Sequence, residues 1–361
     1  MRLIDKIKRF SKIKFRFDFP KPKKILQYDE LESNVLKNII GHDFNIMPRH
    51  KTEIYFWIFI KQIIFFDLSF LTYFKNYIKF TSTKIVINFI DNDLFFYTLK
   101  HKIDGVQFIV IQNGIRPPNS IIFKNKKNRV FKDLKCDHFF AFNKYIIEKF
   151  KKNLQSNFYI LGHYRNNMVK INKTKYKNSY LFISRKEISL KLLKLIALYF
   201  IDSNQKLNIL LKSNNHLGQI NEIKFYKNFF KSNCIFLKHT SFEEKYKTLD
   251  KFENIIFTNS TLGYEAISRK KKIAIFPTNK VFFDKNIFGW PKKNQKENDF
   301  FKAKKLDYSE VKRVLDNVYN CKQSDWEKKY YKNIKDLMYF DKKNLRFKKF
   351  IDEILKSMES D

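Results

Sequence analysis

The chain has 361 residues, enough for two ordinary domains, and 44% of them are apolar, enough to bury two cores. With 41 Phe and 19 Tyr, the composition excludes a disordered polymer. The formal net charge of +37 suits an anionic partner, but lysine occurs almost everywhere, so we expect no specific nucleic acid. Attraction to an anionic membrane or to an anionic donor molecule fits the same charge.

Two segments near the N-terminus could carry a membrane signal. The segment MRLIDKIKRFSKIKFRF is basic but lacks the apolar centre of a secretory signal. The apolar stretch 54–71 is interrupted by Lys61 and Asp67 and is too mixed to span a membrane. We interpret it as a core helix, with a helix lying on a membrane surface as the alternative. Because the three cysteines also lack disulfide or metal-site spacing, we expect a cytoplasmic protein, at most peripheral to the inner face of the plasma membrane.

Short apolar runs alternate with helical patterns along the chain. The runs occupy residues 84–90, 107–111, 138–142 and 158–161 in the first half, and 179–183, 207–211, 234–237, 254–257 and 272–276 in the second. Runs that are apolar throughout are typical of strands buried on both faces. Helical patterns such as 186–200, 222–230 and 242–250 lie between them. The alternation predicts two Rossmann-like, doubly wound parallel sheets, with ligands beyond the carboxyl ends of their strands.

A polar, basic stretch at 165–177 is the best candidate for a boundary between the two sheets. We expect one domain at 1–165, a second at 178–306 and C-terminal helices at 307–361, with a cleft between the domains. The helices, near 307–319 and 325–358, would pack outside the second sheet or cross back toward the first domain.

The first strand end that carries reactive side chains has the sequence IDND. A carboxylate of Asp91 or Asp93 could act as a general base on an acceptor hydroxyl. Asp is also a good helix N-cap, so one of the pair could be structural while the other reacts. The Asp-Asn-Asp spacing matches a short metal-binding pattern, but we expect no bound metal.

The next strand ends in IQNGIRPP, where Gln112, Asn113 and Gly114 form a predicted tight turn with a left-handed glycine. Arg116 follows, and Pro117 and Pro118 stiffen the loop. Two amides and a guanidinium suit the recognition of hydroxyl, carboxylate or phosphate groups. An ordinary turn with an exposed arginine is the alternative.

Four later strand ends carry cationic and hydroxyl side chains. The first-half sheet ends in a segment with His163 and Arg165, next to the proposed boundary. The second-half strands end in Ser184, Arg185, Lys212 and His239. Such groups at neighbouring strand ends are what a diphosphate-bearing ligand needs, although His239 by itself is more typical of a structural histidine.

The sharpest segment is IIFTNSTLGYEAISRKKKIAIFP, a strand, a turn, a helix and a second strand. Ser260 or Thr261 is a natural N-cap, and the start of a helix there would form an anion site. Gly263 permits either the close approach of a phosphate or close packing of helix on strand. Glu265 could accept hydrogen bonds from ribose hydroxyls or only favour the helix N-terminus.

In this order, the segments IDND, IQNGIR, LGHYRNN, FISR and TNSTLGYEAISRKKKIAIFP resemble O-antigen and surface-carbohydrate biosynthesis proteins of bacteria. These are similar to distant relatives of the Kdo transferases and other GT-B enzymes of capsule and lipopolysaccharide assembly. The resemblance implies a GT-B fold whose C-terminal domain holds the nucleotide donor. It also implies donor-phosphate contacts for Ser260 and Thr261 and a donor role for Glu265. Related transferases often have His where this chain has Asn113.

The resemblance implies a glycosyltransferase that moves a sugar from a nucleotide-sugar to a lipid-linked or polysaccharide acceptor, in O-antigen, lipopolysaccharide or capsule synthesis. The nucleotide-sugar is a substrate, and we expect no cofactor. Two alternatives stay open. One is a transferase of polyol phosphate from a CDP-linked donor, and the other is a non-enzymatic basic protein that binds RNA or anionic lipid.

Overall fold

The computed structural model describes residues 14–47, 53–64, 66–116, 120–123, 133–185, 188–276 and 299–359. The basic segment 1–13, Pro117, Pro118 and the start of the helix predicted at 186–200 lie outside the described residues. Among the described residues, no helix has both the length and the apolar character that a membrane span requires.

The first half of the chain forms a six-stranded, wholly parallel sheet. Its strands are β2 (Ile25–Gln27), β3 (Asn45–Ile46), β5 (Ile85–Asn88), β6 (Gln107–Ile111), β7 (Lys135–Ala141) and β8 (Gln155–Ile160), in the order β3-β2-β5-β6-β7-β8. A separate parallel pair consists of β1 (Lys14–Arg16) and β4 (Glu53–Tyr55). The four strands predicted from apolar runs are confirmed. The short β2 and β3 were not predicted.

The second half forms a five-stranded sheet that is also wholly parallel. Its strands are β9 (Tyr176–Ile183), β10 (Leu207–Leu210), β11 (Cys234–Leu237), β12 (Phe252–Phe257) and β13 (Lys272–Ile275), in the order β11-β10-β9-β12-β13. All five were predicted as apolar runs. The two sheets confirm the predicted pair of Rossmann-like halves, because parallel neighbours require the crossover helices that the sequence alternates with them. The exact domain bounds stay a prediction.

Helices cover the faces of both sheets. In chain order they are α1 (Ser33–Ile40), α2 (Phe56–Ile64), α3 (Phe70–Thr81), α4 (Leu94–Leu99), α5 (Lys144–Phe150), α6 (Tyr164–Met168), α7 (Leu190–Asp202), α8 (His216–Phe230), α9 (Phe242–Lys251), α10 (Thr261–Ser268), α11 (Tyr308–Asn320) and α12 (Leu345–Ser357).

The apolar stretch 54–71 is not the single core helix that we predicted. It contains the end of β4, the helix α2, a turn, and the start of α3. Of the residues of α2, only Ile58 and Gln62 are buried, and Trp57, Ile63 and Ile64 are exposed. The prediction was wrong because this stretch is apolar around the whole helix, whereas its main packing partners, α3 and β4, cover only one face of it.

The predicted helix 325–358 is broken, and the break lets the chain return to the first sheet. A first helical segment consists of Gln323–Asp325, the π-helical Trp326–Tyr331 and Lys332–Ile334. The helix α12 begins only at Leu345. Phe347 and Ile351 of α12 are buried in the core of the first sheet. At the crossing, Gly162 has a φ of 77°, and a Cβ atom there would lie 1.9 Å from the backbone oxygen of Tyr339. The crossing that we predicted as one of two arrangements is confirmed.

Candidate active site in the cleft between the sheets

A cavity of about 410 Å³ lies where the carboxyl ends of the two sheets face each other. Its lining includes ten of the residues singled out in the sequence: Asn113, Gly114, His163, Arg165, Ser184, Arg185, Lys212, Ser260, Thr261 and Glu265. The backbone N–H of Ile115, after β6, donates to Thr261 Oγ1 at 3.2 Å and so joins the two halves. The cavity occupies the position at which open α/β sheets bind ligands.

Asp91 lies beneath the cavity and is fully buried. Both of its carboxylate oxygens accept hydrogen bonds from Arg116, with 2.8 Å between Arg116 Nε and Asp91 Oδ2, and Oδ1 also accepts the Asn113 N–H at 3.2 Å. A carboxylate that is bound this completely anchors the loop after β6 on the end of β5. The geometry does not favour the role of general base that we predicted for it.

Asp93 also lies outside the cavity lining. Its Oδ1 accepts the backbone N–H of Phe95 at 3.2 Å, and Asp93 is the N-cap of α4. The capping interpretation therefore holds for Asp93. Its catalytic role remains a prediction without support from the position of the side chain.

The turn after β6 differs in detail from the prediction. Gly114 does not adopt a left-handed conformation, so that expectation was wrong. The side chain of Gln112 stabilises the turn instead. Its Nε2 donates to the Gly114 backbone oxygen at 3.0 Å, and its Oε1 accepts the Phe142 N–H at 3.0 Å. The buried Gln112 amide thus holds the turn to the end of β7, and it does not face the cavity.

Glu265 and His163 form a buried pair across the cleft. His163 Nδ1 lies 2.8 Å from Glu265 Oε1, and the Tyr246 hydroxyl donates to Glu265 Oε2 at 2.5 Å. Burial opposes ionisation of Glu265, but the His163 charge and the hydrogen bonds of His163 and Tyr246 outweigh it and lower the pKa of Glu265. Because both carboxylate oxygens are occupied and the side chain is buried, the geometry does not favour the ribose contact predicted for Glu265.

One ring nitrogen of His163, Nε2, is available to a ligand. It follows β8, lines the cavity, and packs edge-on against Phe142 with 5.4 Å between ring centroids. Among the described residues, no protein atom hydrogen-bonds its Nε2, whereas Nδ1 is held by Glu265. A carboxylate on Nδ1 fixes the proton there and leaves Nε2 as the basic atom.

The first two strand ends of the second sheet are held together by Glu222 of α8. Its carboxylate accepts hydrogen bonds from Ser184 Oγ at 2.6 Å and from the backbone N–H groups of Lys212 and Ser213 at 2.8 and 2.7 Å. Burial opposes ionisation of Glu222, but the hydrogen bonds from these donors outweigh burial and lower the pKa of Glu222. Ser184 thus shapes the cavity wall, and the cations of Arg185 and Lys212 follow it. Arg185 Nη1 also donates to the Asn259 backbone oxygen at 2.9 Å, which links β9 to the end of β12.

The start of α10 contributes Ser260, Thr261 and Leu262 to the cavity wall. Ser260 is its N-cap residue, but its side chain makes no capping hydrogen bond, so the hydroxyl remains available at the cavity. Gly263 serves packing, because a Cβ atom there would lie 2.1 Å from the ring of Phe257 on β12. Of the two interpretations of Gly263, the structure favours the close contact of helix and strand.

His239 and Arg165 have other partners. His239 is buried outside the cavity lining, with its Nε2 2.7 Å from the Leu211 backbone oxygen, which suits the structural interpretation. Arg165 lines the cavity, but its guanidinium is paired with Glu32, with 2.9 Å between Nε and Oε2. The nucleotide contact predicted for His239 therefore has no geometric support.

Sequence reasoning missed two important residues of the site, Lys245 and Tyr246 on α9. Burial lowers the pKa of Lys245 to about 8, although the neighbouring Glu265 opposes the shift. The helix itself was predicted, and its position after a strand end was the only available signal. In a chain with so many lysines, nothing in the local pattern separates Lys245 from a solvated one.

A protein family described as "putative O-antigen biosynthesis protein" matches residues 109–191 and 186–355, more than half of the chain. The chain belongs to this family. The match covers the turn after β6, His163, the whole second sheet and most of the C-terminal helices. No functionally curated protein matches the sequence.

Solved structures confirm the GT-B fold of this O-antigen biosynthesis protein. A glycosyltransferase from Rickettsia africae has 13% identity and a TM-score of 0.50, with 94% of this chain and 100% of that chain covered. MnaA of S. aureus, solved with UDP, has 11% identity, a TM-score of 0.54, and coverages of 92% and 97%. The wall teichoic acid polymerase TagF, solved after a soak with CDPG, has 12% identity, a TM-score of 0.52, and coverages of 94% and 91%.

Proposed function

We propose that the protein is a glycosyltransferase that moves a sugar from a nucleotide-sugar to a lipid-linked or polysaccharide acceptor in surface-glycan synthesis. The observation that supports this most directly is the cavity itself. Cations and hydroxyls of the second sheet and the buried His163–Glu265 pair face the same space of about 410 Å³. Family membership gives the biological setting.

The second sheet supplies the donor site in this proposal. Arg185, Lys212 and Lys245 surround the cavity with positive charge, and Ser260 stands at the start of α10. Backbone N–H groups of a first helical turn have no partner within the helix, so they favour a diphosphate. The UDP bound to MnaA and the CDPG soaked into TagF make a nucleotide a reasonable occupant here.

His163 is the general base in this proposal. The acceptor hydroxyl passes its proton to Nε2 while its oxygen attacks the anomeric carbon of the donor. The bond from that carbon to the diphosphate breaks, and the cations of the second sheet stabilise the charge that the diphosphate gains. Glu265 keeps the imidazole oriented and stabilises its protonated form, and Tyr246 holds Glu265.

A second candidate function is the transfer of a polyol phosphate from a CDP-linked donor. The observation in its favour is the shared fold with TagF, solved with CDPG. The two functions use the same donor cavity and differ in the nucleotide that it accepts.

We expect saturable binding of one nucleoside diphosphate, measured by isothermal titration of the full chain with CDP, UDP and GDP. Arg185→Gln and Lys212→Gln should each weaken that binding by roughly 10- to 100-fold, because hydrogen bonds to charged groups contribute about 1.5–3 kcal/mol. Lys206→Gln is the matched control, since Lys206 precedes the amino end of β10 and Lys212 follows its carboxyl end.

Preferential binding of CDP would favour the polyol-phosphate function, and binding of UDP or GDP would favour glycosyl transfer. Nonspecific RNA is titrated in parallel. If RNA binds with strong salt dependence and no nucleotide binds, the protein is the basic binding protein of the third hypothesis.

Affinity for the nucleotide should fall as the pH rises through about 8, the pKa of Lys245. Below that pH the amine is protonated and attracts the diphosphate, and above it the charge is lost, at an expected cost of about tenfold in Kd. Lys245→Arg should give an affinity that is independent of pH in this range, because the guanidinium stays charged. Titrations of both proteins on either side of pH 8 test this. A wild-type affinity that does not change with pH would contradict a donor contact by Lys245.

A further inference from the structure

An apolar surface lies around the helix α2, which packs against α3 and β4. We define this α2 surface by its exposed members Phe17, Phe19, Trp57, Ile63, Ile64, Phe66 and Leu68. The exposed fraction is 65% for Ile64, 95% for Phe66 and 63% for Leu68. Single exposed apolar residues are common on proteins, but several on one helix, the turn after it and the segment that stacks on it mark an interaction site.

The α2 surface is held in an ordered arrangement. Phe19 stacks on Trp57 and on Phe80, with 5.8 and 5.7 Å between ring centroids. Trp57 Nε1 donates to the Phe17 backbone oxygen at 2.7 Å, so this indole can enter an apolar phase without leaving its N–H unpaired.

The turn between α2 and α3 presents two of the most exposed members. The buried Gln62 amide donates to the backbone oxygens of Asp67 and Ser69, both at 2.9 Å. Phe66 has a φ of 52°, a left-handed conformation that bulky side chains rarely adopt. The fold therefore maintains an unfavourable backbone conformation at a large apolar residue that is almost fully exposed, which points to a function for this turn.

Positive charge flanks the α2 surface. Lys75 and Lys79 are exposed one turn apart on α3, and Lys61 belongs to α2. The chain enters β1 at Lys14 beside this surface, and the sequence of residues 1–13 contains five basic residues and one acidic residue. An apolar face with a lysine border matches an anionic lipid surface better than an apolar protein partner.

The α2 surface also reaches the edge of the sheet at which the cleft opens. Phe70, directly after this turn, packs on Phe95 with 5.8 Å between ring centroids. Phe95 is the second residue of α4, which follows Asp93 beyond the carboxyl end of β5. An acceptor held in a bilayer that contacts the α2 surface would therefore enter the cleft from the side of the first sheet.

From these observations we propose that the α2 surface docks the protein on a bilayer that contains anionic lipid. Trp57, Ile64, Phe66 and Leu68 enter the interface, and Lys61, Lys75 and Lys79 contact headgroups. The inference deepens the proposed function, on which it rests for the lipid-linked acceptor.

Vesicle flotation of the full chain tests the docking. We expect the protein to float with vesicles of phosphatidylcholine and phosphatidylglycerol in equal amounts, and much less with phosphatidylcholine alone. The triple variant Ile64→Ser, Phe66→Ser, Leu68→Ser should reduce the bound fraction roughly tenfold or more, because three large apolar side chains leave the interface. The matched control is Leu190→Ser, Leu217→Ser, Leu345→Ser, with exposed fractions of 55%, 70% and 56% away from the α2 surface.

The inference is overturned if the wild-type chain does not float, or if both triple variants float like it. It is also overturned if size-exclusion chromatography shows a dimer that only the α2-surface variant loses, because the occupant is then a second copy. Nucleotide titration of the wild-type chain separates the two claims. A wild-type chain that binds nucleotide but does not float contradicts the docking surface alone, whereas one that floats but binds no nucleotide contradicts the proposed function.

Discussion

Replacing His163 with Gln is expected to lower turnover by about 10²–10⁴-fold while leaving the affinity for the nucleotide nearly unchanged, since that is the usual contribution of a positioned general base. His163 lines the cavity from the end of the first sheet, whereas Arg185 and Lys212, cations that would hold the diphosphate, follow strands of the second sheet. Its loss should therefore remove proton transfer and not donor binding.

Turnover is measured as the release of free nucleotide from the nucleotide-sugar that titration identifies, in the presence of membranes that contain the acceptor. His101→Gln, on an exposed turn of the same sheet domain, controls for nonspecific effects. Glu265→Gln should cause a smaller loss than His163→Gln, because the amide keeps the contact with the ring but loses the charge that stabilises imidazolium.

Asp91 and Asp93 provide the competing assignment. If His163→Gln retains full turnover and Asp93→Asn abolishes it, the base is Asp93, as the sequence suggested. Asp91→Asn is less informative, because it would also release Arg116 and the loop after β6 from the end of β5. Donor titration of each variant shows whether a loss of turnover comes from a distorted donor site.

The fold could be predicted from the sequence because its buried strands are continuous apolar runs. The nine strands that carry such runs were all found, including β6 and β12, whose ends lead into the cavity. The strands β2 and β3 were missed, because segments of three and two residues are too short to show a period. The exposure of α2 was missed for a related reason, since apolar content alone does not say whether a neighbour covers it.

The residues of the cavity could be predicted in part, because side chains that follow the carboxyl ends of parallel strands meet at one edge of the sheet. The hydrogen-bond partners of these residues could not be predicted. Glu265 and His163 are far apart in the chain, and no local signal shows that a helix of the second sheet brings its carboxylate to within 2.8 Å of the imidazole. The same holds for Asp91. The sequence IDND suggests a reactive carboxylate, but in the structure this carboxylate is hydrogen-bonded to Arg116. Local capping rules explained Asp93 correctly.

Replacing Arg269 with Leu should lower the free energy of unfolding by about 3–5 kcal/mol, because the change leaves a buried carboxylate unpaired. Arg269, which follows α10, and Asp250 of α9 are both fully buried, and they form a bidentate pair with two distances of 2.7 Å. The same guanidinium donates to Asn166 Oδ1 at 3.0 Å and to the backbone oxygens of Val169 and Lys170 at 3.2 and 3.1 Å. One side chain thus fastens the connection between the two sheets to the second sheet.

Thermal unfolding of the full chain measures the effect, and the expected fall in Tm is roughly 10 °C for a domain of this size. Arg269→Lys should lie between wild type and Arg269→Leu, because lysine keeps the charge but cannot bind the carboxylate with two parallel hydrogen bonds. Adding Asp250→Leu to Arg269→Leu should recover part of the loss, since the buried charge then disappears. If the two single changes simply add, Asp250 does not depend on Arg269.

The consequence of Arg269→Leu should extend to catalysis. The guanidinium carbon lies 5.2 Å from the centre of the Tyr246 ring, and Tyr246 holds Glu265, which holds His163. The Asn166 that Arg269 binds lies three residues after His163, on α6. Loosening this contact should therefore move the base relative to the donor site. Turnover should fall even at temperatures at which the variant is folded, while its affinity for the nucleotide stays close to that of the wild type. A variant that unfolds at a lower temperature but turns over normally when folded would show that Arg269 supports the fold alone.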